Sequence, residues 1–127
     1  MTQKRFHLGT DIVEVCRITQ AINNGGSGFL HRVFSLSERE QLITEEVDYE
    51  RASGFWAAKE SLVKALGLGF REGITFQDME IMHDCLGCPY FSLSGRIAQI
   101  IKERDIKHIS LSISHCRTYA IAVTIIS

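Results

Sequence analysis

A single proline and a single tryptophan stand in 127 residues. No low-complexity segment and no internal repeat is present, so composition marks no linker and no array. A single domain over residues 1–127 is expected. No apolar run approaches the ~20 residues of a bilayer-spanning helix, so no membrane association is expected. Neither sign of charge prevails: 14 Lys and Arg face 15 Asp and Glu, a net charge of -1. That balance argues against nucleic-acid binding driven by bulk positive charge. The first residues, Met-Thr-Gln-Lys-Arg-Phe-His, are basic but lack a following apolar stretch, so no secretory signal is expected. Without one, the four cysteines are expected to be reduced thiols in a cytoplasm.

What is present is organised around Phe55 to Gly69. Stepping 100° per residue from Phe55 puts Leu62 at about 340°, Leu66 at about 20°, Val63 at about 80° and Trp56 at about 100°. The spacing predicts an amphipathic helix from Tyr49 to Leu66, with Asp48 as its N-cap and Gly67 at its left-handed C′ position. Gly54 inside it implies a close packing approach. Glu60 and Lys64 fall on the flank, at about 140° and 180°, whereas Lys59 falls inside the apolar stripe at about 40°. Two readings follow for Lys59. It snorkels out beside an ordinary surface Glu60–Lys64 pair, or it forms with them a charged site at the edge of a buried face, suited to an anion and a cation together.

The other elements follow from periodicity. Phe6 to Val15 reads as a buried strand interrupted by Asp11, with Glu14 pointing to the opposite face. Cys16 to Asn24 reads as a short helix ended by Asn23-Asn24-Gly25-Gly26, and Phe29 to Phe34 as a second helical turn. Ser37-Glu38-Arg39-Glu40 has capping-box spacing for a helix running to about Thr44. Phe76 to His83 and Tyr90 to Leu93 read as a hairpin about the turn Asp84 to Pro89. Ser94 caps a helix over Gly95 to Arg104. His108 to Ser114 and Tyr119 to Ile126 read as an antiparallel pair joined by residues 115–118. The expected class is α+β: an antiparallel sheet packed with one long central helix and several short helices.

Asp11 is either a strand-end cap or a ligand or base, since a buried carboxylate needs a partner. Two carboxylates, Asp11 and Glu60, with positions left for water and phosphate oxygens, are what Mg2+ prefers. Lys64, one turn from Glu60, would sit beside phosphates as a point charge. Such a set suits transfer of a phosphoryl-type group, in which the protein positions reactants and neutralises charge. Gly67 and Gly69 could let backbone N–H groups approach a phosphate. Cys85-x-x-Cys88 lacks the second ligand pair of a structural zinc site and lies in a turn, not at a helix N-terminus that would activate a thiol. His115 ends a serine-faced strand without a Gly-x-Ser-x-Gly elbow.

Three blocks carry a resemblance. Gly9-Thr10-Asp11-Ile12-Val13-Glu14-Val15-Cys16-Arg17-Ile18, Phe55 to Gly67 with Ala57-Ala58-Lys59-Glu60 and Lys64-Ala65, and Ser112-Ile113-Ser114-His115 with Tyr119-Ala120 match in order and spacing. The sequence resembles the holo-acyl-carrier-protein synthases, the small bacterial-type 4'-phosphopantetheinyl transferases. The resemblance implies transfer of 4'-phosphopantetheine from coenzyme A to a serine of apo-acyl carrier protein, releasing adenosine 3',5'-bisphosphate, in support of fatty acid biosynthesis. It implies Mg2+ held by Asp11 and Glu60, Lys64 in the phosphate site, and Lys59, Gly67 and His115 about the coenzyme A. It also implies Arg17 and Arg32 as contacts to the acidic carrier, and a homotrimer with sites at subunit interfaces. Two departures stand out: no second arginine follows Arg17 at Ala21 or Asn24, and Leu86-Gly87-Cys88-Pro89 replaces the common Asn-Gly-Lys-Pro. The rival expectations are a non-catalytic binding module for coenzyme A or the carrier, and a thiol-based redox or zinc protein built on Cys85 and Cys88.

Overall fold

Strand β1 (His7–Glu14) runs straight into helix α1 (Val15–Val33) in the computed structural model, which describes residues 5–70 and 73–127. Gly26, at φ 55 and ψ -140, divides α1 into two helical pieces. The Asn-Asn-Gly-Gly stop is therefore a kink, and the second helical turn continues from it. Helix α2 (Leu36–Leu42) follows, capped by Ser35 and not by Ser37. The spacing was legible but set two residues late: Ser35 and Glu38 form the reciprocal box, because the Glu38 carboxylate is required inside the protein.

Helix α3 (Tyr49–Ala65) starts at Asp48, whose side chain accepts from the Arg51 amide, as expected. It ends in a Schellman arrangement: the Leu68 amide donates to Val63 and the Gly67 amide to Lys64, with Gly67 at φ 70. A 3-10 turn (Phe76–Asp78) takes the first residues of the strand expected there; the Phe76 ring stacks on Trp56 at 4.9 Å. Strands β2 (Met79–His83) and β3 (Pro89–Leu93) form the hairpin. Helix α4 (Gly95–Glu103) leads to strands β4 (Ile109–His115) and β5 (Tyr119–Ile126). Ser94 precedes α4 but bonds the Asp78 carboxylate instead of capping the helix.

The α+β class holds, with all strands antiparallel, but the strands divide into a sheet β1-β5-β4 and the separate pair β2-β3. Helix α3 lies against the inner face of the sheet and is buried around most of its circumference, including Ala52, Gly54, Ala57, Ala58 and Ser61. Small residues permit this. A Cβ on Gly54 would stand 3.0 Å from the Ile113 side chain, the close approach expected there. Around the N-terminal half of α3 the core holds Ile22, Phe29, Phe34 and Phe55; around its C-terminal half it holds Leu62, Met79, Ile97 and Ile126. Among the described residues no helix is long and apolar enough to cross a membrane.

The outer face of the sheet is apolar over β1 and β5, while β4 contributes Ser110, Ser112 and Ser114 to it. Leu8 pairs with Ile125 and Ile12 with Ile121 across β1 and β5. These four side chains are 60%, 40%, 64% and 42% exposed. Such a patch on a sheet face marks an association surface.

Candidate active site

Gly9 sets the geometry of the site. A Cβ at this position would collide with the Ser61 carbonyl oxygen and the Ala65 amide nitrogen, so β1 and α3 touch backbone to backbone. Asp11 is two residues further along the same strand face, so it too points at α3. Its Oδ1 accepts a charge-assisted bond from the Lys64 ammonium at 2.8 Å; the Asp11 side chain is 12% exposed and that of Lys64 53%. Glu60 lies one turn before Lys64 on the same helix face and is half-buried. Glu14 projects to the opposite side of β1 and is exposed, as expected.

The electrostatics follow from this crowding. Burial pushes the Glu60 carboxyl above its ordinary value, and the Asp11 charge adds to the shift; Lys64 pulls it back. Two carboxylates with one lysine between them leave the cluster with excess negative charge that a cation would relieve. Among the described residues no three His, Cys, Asp or Glu side chains converge as a metal site, so a cation at Asp11 and Glu60 would need further oxygens from substrate and water.

Two clefts open beside the cluster and a third lies apart from it. Asp11 and Glu60 open into a groove of about 310 Å³ whose other walls include Arg17, Ile18, Phe29 and Trp56. Arg32 stands beside this groove, its guanidinium 5.8 Å from the Phe29 ring centre. Lys64 faces a second cavity of about 520 Å³, with Gly67, Arg5, His7 and Arg104 on its walls. His115 is elsewhere: it lines a cleft of about 180 Å³ with Arg51, His83 and Pro89, and its Nδ1 bonds Glu50 at 2.9 Å. The sequence-predicted residues thus fall into two groups, Asp11, Glu60, Lys64 and Arg17 in one and His115 in the other.

Two of the expected site residues have their donors engaged within the fold. Lys59 neither snorkels nor reaches a cleft. It is fully buried, and its three donors go to the Val33 carbonyl at 2.6 Å, Glu38 Oε1 at 2.8 Å and the Phe76 carbonyl at 3.1 Å. No donor remains for coenzyme A. Gly67 lines the cavity beside Lys64, but its N–H is spent on the helix cap, and its backbone amide is not offered to a phosphate. Sequence reasoning also missed Phe29 and Trp56 as groove walls and Arg5 and Arg104 beside Lys64. Trp56 at the margin of the apolar stripe was the available signal; the arginines gave none.

The thiols are free and exposed. Cys85 and Cys88 sit in the hairpin turn, where Asp84 Oδ1 accepts from the Leu86 and Cys88 amides. The Cys116 thiol is drawn below its ordinary value by hydrogen bonds from Thr118 and Tyr119.

Comparison with known proteins adds the following. The family model described as the 4'-phosphopantetheinyl transferase superfamily matches residues 7–124. A holo-(acyl-carrier-protein) synthase of Verminephrobacter eiseniae is 43% identical over 121 residues, covering 95% of this chain and 92% of that protein. The crystal structure of the Helicobacter pylori holo-(acyl-carrier-protein) synthase in complex with coenzyme A superposes with a TM-score of 0.82 at 32% identity, over 94% of this chain and 99% of that one. An ACPS–CoA complex of Chronobacterium ammoniagenes superposes with a TM-score of 0.84 at 29% identity, over 98% of each chain.

Proposed function

The chain belongs to the 4'-phosphopantetheinyl transferase superfamily, and we propose that it acts as a holo-acyl-carrier-protein synthase, moving 4'-phosphopantetheine from coenzyme A to a serine of an apo-acyl carrier protein. The observation that carries the reading is the convergence of Asp11, Glu60 and Lys64 at the contact of β1 with α3.

The serine oxygen attacks the phosphorus that bears pantetheine. The bond from that phosphorus to the bridging oxygen of the diphosphate breaks, and adenosine 3',5'-bisphosphate leaves with the electron pair. The serine proton passes to water. The donor set fits Mg2+: hard carboxylate oxygens, only two of them, crowded enough that burial and mutual repulsion favour neutralisation. Asp11 and Glu60 would hold the ion, which when bound neutralises charge developing on the diphosphate. Lys64 would contribute a second positive charge from the side of its own cavity, fixed by its bond to Asp11. Arg17 in the groove, with Arg32 outside it, would receive the acidic face of the carrier.

A homotrimer accounts for two features at once. The uncovered apolar sheet face would be buried between subunits. The His115 cleft, which shares no lining residue with the Asp11 groove, would complete the groove of a neighbouring subunit around the nucleotide. A single domain, a cytoplasmic location where the four thiols stay reduced, and a role in fatty acid biosynthesis belong to the same reading.

Intact-mass analysis tests it. Mixed with coenzyme A, Mg2+ and an apo-carrier, the protein is expected to add one phosphopantetheine to the carrier, and EDTA to abolish the gain. No gain with several carriers, from folded protein that binds coenzyme A, would refute transfer and leave a binding module.

A further inference from the structure

Lys59 and Glu38 are both fully buried and face none of the three clefts. Their contacts are nonetheless numerous. Besides the three bonds of the Lys59 ammonium, Glu38 Oε1 accepts from the Ser35 amide at 2.8 Å and Oε2 from the Ile81 amide at 2.7 Å. One ion pair therefore joins the end of α1, the start of α2, the middle of α3, the 3-10 turn and β2.

Lys59 immediately precedes Glu60, about 100° away around α3. Within one turn of Glu60 the other buried residues of the helix are the small Ala57 and Ala58 on its N-terminal side and Ser61 at the next position, with Leu62 and Val63 beyond them. Small side chains let backbones approach but raise shallow ridges, and shallow ridges resist rotation about the helix axis weakly. On the sheet side the Gly9 contact and the Ser61–Thr124 hydrogen bond hold the helix; on the opposite side the directional bonds of Lys59 oppose its rotation. Stability alone does not explain the pair, because a buried ion pair replaced by apolar groups is often neutral or better.

We infer that the Lys59–Glu38 pair is a positioning device for the Asp11–Glu60 carboxylates, holding α3 at the rotation that turns Glu60 toward Asp11. The inference rests on the proposed function for what those carboxylates bind. Lys59 and Glu38 touch no substrate; they act through Glu60.

The test uses Lys59→Met combined with Glu38→Gln, which removes both buried charges together, and Lys59→Gln combined with Glu38→Gln, a second neutral pair that keeps a donor at position 59 should the first variant fold poorly. Thermal unfolding establishes the folded fraction. Mn2+ binding in the presence of coenzyme A, followed by electron paramagnetic resonance, is expected to weaken about 10- to 100-fold in the folded variant, the range seen when groups behind metal ligands are lost. Half-saturating Mg2+ in the transfer assay should rise by a similar factor, KM for the carrier should stay within about twofold, and excess Mg2+ should restore part of kcat. A merely structural pair would lower the melting temperature and leave Mn2+ affinity unchanged; that result overturns the inference. Should the parent protein itself neither bind Mn2+ nor transfer, the proposed function fails. The crystal structure of the variant then decides: a Glu60 carboxylate displaced from Asp11 sustains positioning, and an unmoved one overturns it.

Discussion

Gly9→Ala is the sharpest perturbation available at the site, because it adds one methyl group and removes nothing. The methyl would fall on the Ser61 carbonyl oxygen and the Ala65 amide nitrogen. Both belong to the backbone of a helix packed on its other sides, so no flexible side chain can swing away. Strand and helix must separate, and overpacking of this kind costs about 2–3 kcal/mol. For a domain of this size that lowers the melting temperature by on the order of 6–12 °C. Asp11, on the same strand face, moves away from Lys64 and Glu60, and a displacement near 1 Å can reduce turnover about 100-fold. Circular dichroism on heating gives the first quantity and intact-mass transfer to the carrier, at a temperature where the variant is fully folded, gives the second. Gly28→Ala is the control: nothing lies within 4 Å of its added Cβ, and it stands in α1 without a positive φ. It should gain about 0.5–1 kcal/mol and keep parental turnover. Parental stability and turnover in Gly9→Ala would refute the backbone contact and the geometry derived from it.

Four further outcomes are expected. Glu60→Gln and Asp11→Asn should each lower turnover by about 100-fold or more with circular dichroism unchanged, since each removes a carboxylate proposed to hold the cation that neutralises the diphosphate. Because Glu60 is held above its ordinary carboxyl value, protons displace a cation there at higher pH than at an ordinary glutamate; half-saturating Mg2+ should rise as pH falls through that raised value, and Lys64→Met should move the transition to still higher pH. The same shift has a stability sign: the folded form holds this proton more tightly than the unfolded chain, so metal-free stability in urea should fall as pH rises from about 4.5 through the raised value, and Glu60→Gln should remove that slope. If the proposed homotrimer forms through the outer sheet face, Ile121→Lys should leave the protein monomeric in sedimentation and abolish transfer while leaving helix content intact.

Much of this was legible in the chain. Asp11, Glu60 and Lys64 declared themselves because each interrupts or flanks an apolar pattern, and their spacing alone put Glu60 and Lys64 on one face. Lys59 also stood out, but its meaning did not. Its partner is 21 residues away in another helix, and a stripe calculated for one helix cannot show what packs against it. The same locality explains the misplaced cap: Ser35-x-x-Glu38 and Ser37-x-x-Glu40 are equivalent by spacing, and only burial of Glu38 distinguishes them. The kink at Gly26 was read as an end because glycine pairs usually stop a helix; packing of Phe29 and Phe34 beyond it carries the second piece on. The separation of His115 from Asp11 depends on how β4, β5 and β1 line up, which periodicity within a strand does not contain.

Buried together, Lys59 and Glu38 also restrict how this sequence can change over generations. Loss of either partner strands a charge in the core at a cost of about 3–5 kcal/mol, a large part of the 5–15 kcal/mol that holds a domain together. Loss of both at once strands no charge, although the Val33 and Phe76 carbonyls and the Ser35 and Ile81 amides must then find other partners. Single substitutions at positions 38 and 59 are therefore closed routes, and the two residues are inherited or lost as a unit.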